Sequence, residues 1–442
     1  MLSSVPITAR SLEAYRPIIG EEKVEQIRAL AEPLRDARVL EINATAFGGG
    51  VAEILTTIVP LLNDVGVHAE WQVIRGADEF FNVTKAMHNS LQGMLLNWTP
   101  QMRDIWVRYN EMNAQLFDQD YDFIIVHDPQ PAALLGLRTK LGGKRPPGKW
   151  AWRCHIDLTE AQVEVWELLR PYVEDYDASI FTMPEYVQPD LRGRVFIVPP
   201  AIDPLSPKNV DISTETAEEI LLRYSVDARR PLICQVSRFD PWKDPLGVID
   251  VYRHLRDDIP GLQLVLIASM ASDDPEGWAW YERTVRRAGE DYDIHILSNL
   301  NGIGNIEVNA FQRASQVVIQ KSVREGFGLV VAEALWKSRP VVAGNVGGIP
   351  LQVLYGKTGY LVNTTAECVN RTLYLLQHPD VSARMGATGR EHVREHFLMT
   401  RLLSDELSIF NTLAGRMDFQ PVSGNGHRAN VMARPAEVRE PA

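Results

Sequence analysis

One alternation runs through this chain twice and constrains its fold more than any other feature: short β-branched apolar segments, each followed by a longer amphipathic one. Arg38–Asn43 (RVLEIN), Trp71–Ile74, Phe123–His127 (FIIVH), Trp150–His155 and Ser179–Thr182 read as strands in the first half. Leu232–Val236 (LICQV), Leu264–Ala268 (LVLIA), Ile294–Leu297, Val317–Ile319 and Val341–Val342 repeat the pattern in the second. Val51–Val65 sets Ile54, Leu55, Ile58, Leu61 and Leu62 on one helical face. Leu246–Leu255, Gly277–Ala288 and Phe327–Trp336 are further helical stretches. Strands separated by helices pair in parallel through right-handed crossovers. The expected class is therefore α/β, with two Rossmann-like doubly wound parallel-sheet domains facing a central cleft.

The break between the halves falls in Val198–Asn209 (VPPAIDPLSPKN), where four prolines disfavour both helix and interior strand. This segment reads as a hinge between an N-terminal domain over 1–203 and a C-terminal domain over 204–399. Residues 417–442 carry three prolines, scattered charge and little apolar periodicity, and are expected to be a disordered tail.

Composition narrows the function classes. Asp+Glu outnumber Lys+Arg by 57 to 45, a formal net charge of −12, so no nucleic acid or anionic membrane partner is expected. Any anionic substrate needs a local basic pocket set against that field. The three cysteines Cys154, Cys234 and Cys368 are far apart, which speaks for reduced thiols and against a zinc site or disulfide framework. The N-terminus has no signal-like apolar run, and nothing approaches the ~20 apolar residues of a membrane span. A cytoplasmic protein is the expectation.

Polar clusters fall where open α/β sheets bind ligands, after the carboxyl ends of strands. Phe47-Gly48-Gly49-Gly50 follows the first strand and opens the first helix. Glycines there allow close backbone approach and a helix start offers N–H groups to an anion, although a tight turn would look the same. Arg238 and Lys243 lie on the loop after LICQV. At ~4 Å and an effective dielectric of ~20, each cation facing a phosphate is worth on the order of 4 kcal/mol before desolvation. Glu325 and Glu333 flank the apolar, glycine-bearing run Gly326–Ala332, a setting that buries carboxylates and so demands partners. His127-Asp128 and His155-Ile-Asp157 end two strands of one sheet, either as structural histidines or as site residues. The Asp-x-Asp matches at Asp118–Asp122 and Asp291–Asp293 precede strands instead of following them, and read as solvated turns.

Arg238…Lys243 followed by Glu325-x7-Glu333 resembles the donor-binding signature of retaining glycosyltransferases of the two-domain GT-B architecture. Phe47–Leu55 (FGGGVAEIL), Phe80–Lys85 (FFNVTK), His127–Ala132 (HDPQPA), Trp152–Leu158 (WRCHIDL), Ile202–Leu205 (IDPL), Asp273–Trp278 (DDPEGW), Val308–Ser315 (VNAFQRAS) and Arg324–Leu329 (REGFGL) carry a closer resemblance, to the trehalose synthases. That resemblance spans roughly residues 10–415. It implies transfer of glucose from NDP-glucose (the uridine, adenosine or guanosine form) to free glucose, giving α,α-trehalose, reversibly and with retention. No well-placed carboxylate nucleophile stands out in the sequence, so a same-face mechanism is expected. Arg238 and Lys243 would hold the diphosphate, Glu333 the ribose, and Glu325 with the backbone of Gly326 and Phe327 the glucose hydroxyls. His155 would sit beside the transferred glucose, Gly49 and Gly50 would approach the diphosphate, and Asp128 with His127 would meet the acceptor glucose. A last helix within 400–416 would return to the first domain. No tightly bound cofactor and no protein metal site are implied, with Mg2+ at most a stimulant. A homodimer, the commonest assembly, is the expected oligomer. The competing readings are a trehalose phosphorylase using glucose 1-phosphate, a sugar-nucleotide epimerase, and a non-catalytic sugar-binding protein.

Overall fold

The computed structural model describes residues 2–270 and 275–419, so the start of the DDPEGW block and most of the expected tail lie outside the described residues. The chain divides into two units: Met1–Ala201 with the chain from Met399 onward, and Ile202–Leu398.

The first unit is built on seven strands: β1 Ser3–Ser4, β2 Arg38–Asn43, β3 His68–Val73, β4 Phe123–His127, β5 Lys149–Cys154, β6 Ala178–Phe181 and β7 Val195–Ile197. Their order is β1-β3-β2-β4-β5-β6-β7. All neighbouring pairs are parallel except β1 with β3, an antiparallel edge that the all-parallel expectation did not contain. A two-residue strand carries no readable period, which is why it was not foreseen. After β3 the chain crosses back to place β4 on the other side of β2, so the switch in strand order lies between β2 and β4. Ligands of open α/β sheets bind at such a switch, beyond the carboxyl ends of the strands.

Burial explains the strand sequences. Every residue of β4 is buried, and β2 and β5 are buried apart from their first residues, as parallel strands covered on both faces must be. Trp106, Trp150 and Trp152 are among the largest buried side chains of this core. The helix Met399–Leu413 belongs to this unit, is buried along its length, and lies against the helices Glu21–Ala31 and Gly50–Asp64. Phe410 rests on Phe123 with ring centroids 4.8 Å apart, and Asn411 Nδ2 donates to Leu30 O at 2.8 Å.

The second unit has six strands: β8 Leu232–Ser237, β9 Gln263–Ala268, β10 Ile294–Ser298, β11 Val317–Gln320, β12 Val341–Gly344 and β13 Gly359–Val362. They are parallel throughout, in the order β10-β9-β8-β11-β12-β13, which sets the switch point between β8 and β11. The edge strand β13 escaped the sequence reading because it is four residues long and starts on a glycine. A Cβ at Gly359 would stand 2.1 Å from Val341 O, so the close pairing with β12 requires that glycine.

The proline-rich segment is fastened in two halves. Arg401 Nη2 donates to Pro199 O and Pro200 O at 2.8 and 2.9 Å within the first unit. Beyond Ala201, Ile202 N donates to Phe397 O at 2.8 Å, and Lys337 Nζ donates to Asn209 Oδ1 at 2.8 Å within the second.

Candidate active site

In the second unit the site is assembled at the β8–β11 switch. The loop after β8 carries Arg238 and Lys243, and the loop after β11 carries Ser322 and Glu325. Val323 N donates to Trp242 O at 2.8 Å, a backbone bond that joins the two loops, and Gln235 Nε2 of β8 donates to Lys243 O at 2.7 Å, which holds the first loop against its own strand. Lys243 Nζ then reaches Glu325 Oε2 at 2.7 Å, and Ser322 Oγ reaches the same oxygen at 3.2 Å. Two residues 82 apart in sequence, singled out for different roles, are therefore an ion pair.

Arg238 extends outward with more than half its side chain exposed, 3.3 Å from Asp240 Oδ2. Asp240 is buried, with neither carboxylate oxygen hydrogen-bonded. Burial pushes its pKa up against the opposing pull of Lys243 and Arg238. A carboxylate so discouraged from ionising competes weakly with an incoming anion for Arg238.

Glu333 sits in the helix Leu329–Trp336, which starts after Gly328 in a left-handed conformation (φ 80°). This is two residues later than the sequence suggested, because the left-handed glycine cannot belong to the helix. The Glu333 carboxylate is fully buried and neither oxygen has a hydrogen-bond partner, although Lys208 Nζ stands 3.3 Å from Oε1. Phe327 is buried against Phe397, ring centroids 5.4 Å apart. The backbone at Gly326–Phe327 is hemmed in by Gly348, where a Cβ would lie 2.7 Å from Gly326 O.

In the first unit the glycine run follows β2. Gly48 and Gly49 hold φ of 71° and 88°, values that favour glycine, and Gly49 precedes the helix Gly50–Asp64 with no side-chain cap on its first N–H groups. Such a start is suited to an anion.

Asp128 follows β4 at φ 65°, unusual for a residue with a side chain. Three hydrogen bonds hold it there. Its N donates to Arg153 O at 2.8 Å, its O accepts from Trp152 Nε1 at 2.9 Å, and its Oδ1 accepts from His155 N at 2.9 Å. Burial pushes its pKa up to about 6.

His127, expected at the acceptor, is buried with both ring nitrogens engaged: Nε2 with Glu41 Oε2 at 2.6 Å and Nδ1 with His155 Nε2 at 2.8 Å. In this arrangement it holds His155 and offers nothing directly to a sugar. The two rings stack, 13° apart in plane. Burial, with Arg153 as the next cause, lowers the pKa of both histidines, that of His127 to about 3, so both are neutral near pH 7.

Sequence reasoning missed Glu41, Arg153, Asp240, Lys208 and Glu406. Arg153 Nη1 donates to Glu406 Oε1 at 2.7 Å, with both side chains almost wholly buried. The available signal was an ionisable residue inside an apolar strand: Glu41 within RVLEIN and Arg153 within WAWRC. Among the described residues no group of three or more His, Cys, Asp and Glu could hold a metal ion, and no helix is long and apolar enough to cross a membrane. Cys154, Cys234 and Cys368 are free and buried.

Residues 41–188 match the family model "Trehalose synthase, N-terminal domain", and 218–392 match "Glycosyl transferases group 1". The chain is 51% identical over 409 residues to the trehalose synthase of Pyrococcus horikoshii, covering 92% of this chain and 97% of that one. It is 51% identical over 419 residues to the trehalose synthase of Rubrobacter xylanophilus, covering 94% and 100%. A solved sucrose-phosphate synthase of Thermosynechococcus elongatus shares the fold at a TM-score of 0.68 and 17% identity, over 86% of this chain and all of that one. With two doubly wound sheets, each carrying polar groups at its switch point, and this identity over nearly the whole length, the chain belongs to the trehalose synthase family of GT-B glycosyltransferases.

Proposed function

We propose that this chain makes α,α-trehalose and NDP from NDP-glucose and free glucose. The observation that carries the reading is the Lys243–Glu325 ion pair at the β8–β11 switch, beside the outward-reaching Arg238. It joins a cation suited to a diphosphate to a carboxylate suited to sugar hydroxyls.

Arg238 and Lys243 neutralise the diphosphate as the bond between glucose C1 and the phosphate oxygen breaks. Charge that develops at the leaving oxygen is where fixed cations act most strongly. Glu325 and the Gly326–Phe327 backbone hold the glucose hydroxyls, Glu333 takes the ribose diol, and Gly49 and Gly50 offer backbone N–H groups to phosphate. His155 lies beside the transferred glucose, and Asp128 meets the acceptor through its remaining carboxylate oxygen.

The acceptor's anomeric oxygen bonds to C1 from the face that the phosphate leaves, and its proton passes to the departing phosphate oxygen. Configuration at C1 is thereby retained without a protein nucleophile. No tightly bound cofactor enters this reaction, and its setting is the cytoplasm.

The test is incubation of the purified protein with glucose and UDP-, ADP- or GDP-glucose, followed by assay for a non-reducing disaccharide. Trehalose with release of NDP is expected. Trehalose formed only from glucose 1-phosphate would overturn the reading in favour of a phosphorylase, and altered NDP-sugar without acceptor would overturn it in favour of an epimerase.

A further inference from the structure

Beneath the helix Met399–Leu413, three adjacent strands of the first unit present ionisable side chains on one face. His127 of β4 is directly paired with Arg153 of β5, and Glu41 of β2 is opposite Ile125, two residues before His127. Side chains two apart on a strand share a face, so Glu41, His127 and Arg153 form one buried polar row. Glu406 closes the row from the helix through its ion pair with Arg153, and Arg401 with Asp405 form a second pair one turn away.

The row ends in a chain of hydrogen bonds, Glu41 Oε2 to His127 Nε2 at 2.6 Å and His127 Nδ1 to His155 Nε2 at 2.8 Å. Among the described residues no protein group meets the other ring nitrogen of His155, Nδ1.

A neutral imidazole carries one proton, so each ring in such a chain donates from one nitrogen and accepts at the other. Only two arrangements satisfy every bond. With Glu41 protonated, its O–H donates to His127 Nε2, His127 Nδ1–H donates to His155 Nε2, and His155 Nδ1 carries an N–H. With Glu41 ionised, both rings reverse: His127 Nε2–H donates to the carboxylate, His155 Nε2–H donates to His127 Nδ1, and His155 Nδ1 is bare.

We propose that Glu41 is a positioning residue that sets, through His127, whether His155 offers a hydrogen-bond donor or an acceptor at Nδ1. The proton count balances: the two states differ by one proton, which leaves from His155 Nδ1 while one proton shifts along each of the two internal hydrogen bonds. The negative charge then rests on Glu41, and no histidine becomes cationic. The significance of Nδ1 for a sugar rests on the reading of His155 as the neighbour of the transferred glucose.

The surroundings suit the role. Burial pushes Glu41 up to about 8, against the attraction of Arg153. Glu41 Oε1, Arg153 Nη2 and Glu406 Oε2 are buried without hydrogen bonds, so the row is not locked into one charge arrangement by its own bonding. The groups facing Glu41 are His127 from β4, Arg153 from β5 and Glu406 from the covering helix. Of these, Glu406 is likewise pushed up to about 8, and His127 stays neutral.

The test is 15N NMR of histidine-labelled full-length protein, with no sugar present, from about pH 6 to about pH 10. In the wild type, His155 Nδ1 is expected to pass from a protonated to a bare nitrogen signal as the pH rises through about 8, with His127 Nδ1 changing in step. In Glu41→Gln, which does not titrate, both histidines are expected to keep one proton arrangement throughout. Wild-type histidines that keep one arrangement, or a switch that persists in Glu41→Gln, would overturn the proposal. The wild-type titration stands without any variant, so a misfolded Glu41→Gln leaves it decisive. A clear switch in a protein that makes no trehalose supports the relay and counts instead against the sugar-neighbour reading of His155.

Discussion

Lys243 Nζ and Glu325 Oε2 are 2.7 Å apart, although one follows β8 and the other follows β11. Both are only slightly exposed. The pair couples the two halves of the proposed donor site, so disturbing either residue should alter both phosphate and sugar recognition.

The first expectation follows directly. Lys243→Ala or Arg238→Ala should lower kcat by about 10²–10³, the usual cost of removing a group that stabilises transition-state charge. Arg238 is largely exposed, so its removal should leave the melting temperature within about a degree or two of the wild type. Steady-state kinetics with NDP-glucose and a thermal melt decide it, and wild-type turnover in Arg238→Ala would refute the diphosphate role.

Gly348→Ala tests the proposed sugar-holding role of the Gly326–Phe327 backbone without touching a charged group. The added Cβ would lie 2.7 Å from Gly326 O and 2.9 Å from Phe327 Cα, so the Gly326–Phe327 backbone must move. A displacement of ~1 Å at a positioning group can cost on the order of 10²-fold in rate. A loss of that order in kcat/KM, with the circular dichroism spectrum unchanged, is expected.

Arg153→Leu should destabilise the first unit by about 1–3 kcal/mol, because it leaves the buried Glu406 carboxyl group without its hydrogen-bond donor. Arg153→Leu combined with Glu406→Leu should recover most of that loss. Denaturant melts of both variants provide the comparison, and a double variant no more stable than the single one would contradict it.

Stability should fall as the pH rises from about 6.5 to about 8. Folding raises Glu41 and Glu406 from 4.5 to about 8, so in this window the folded chain holds protons that the unfolded chain has released. Each such proton lowers the stability by about 1.4 kcal/mol per pH unit. The lowered histidines work in the opposite sense but only below 6.5, where the unfolded chain protonates them and the folded chain does not. Calorimetric melting temperatures across the window should decline in the wild type and decline less in Glu41→Gln.

The fold was legible because its signal is periodic and local. LICQV, LVLIA and FIIVH are apolar on both faces, as strands covered on two sides must be, and their spacing forces crossovers. The strands that escaped were edge pieces of two to four residues: β1, β7 and β13. These are too short to show a period, and β13 depends on Gly359 fitting under Val341 O.

The site was legible only in part. Arg238, Lys243, Glu325 and Glu333 stand out because they follow or interrupt apolar runs. Nothing in their spacing reveals that Lys243 and Glu325 are partners, since the pairing of β8 with β11 and the bond from Val323 N to Trp242 O bring two distant loops together. His127 shows the limit differently: at its strand end it could be structural or part of the site, the resemblance put it at the acceptor, and in the fold β2 and β5 enclose it with its ring between Glu41 and His155.

From its sequence alone, this chain was bound to form two parallel α/β sheets with charge gathered at their strand ends, because hydrophobic period and loop chemistry act over a few residues. Only the tertiary structure decided which charges meet. Glu41, His127, Arg153 and Glu406 come from four separate segments, and their proton affinities depend on burial and on one another, quantities that exist only once the strands are paired and the last helix has covered them.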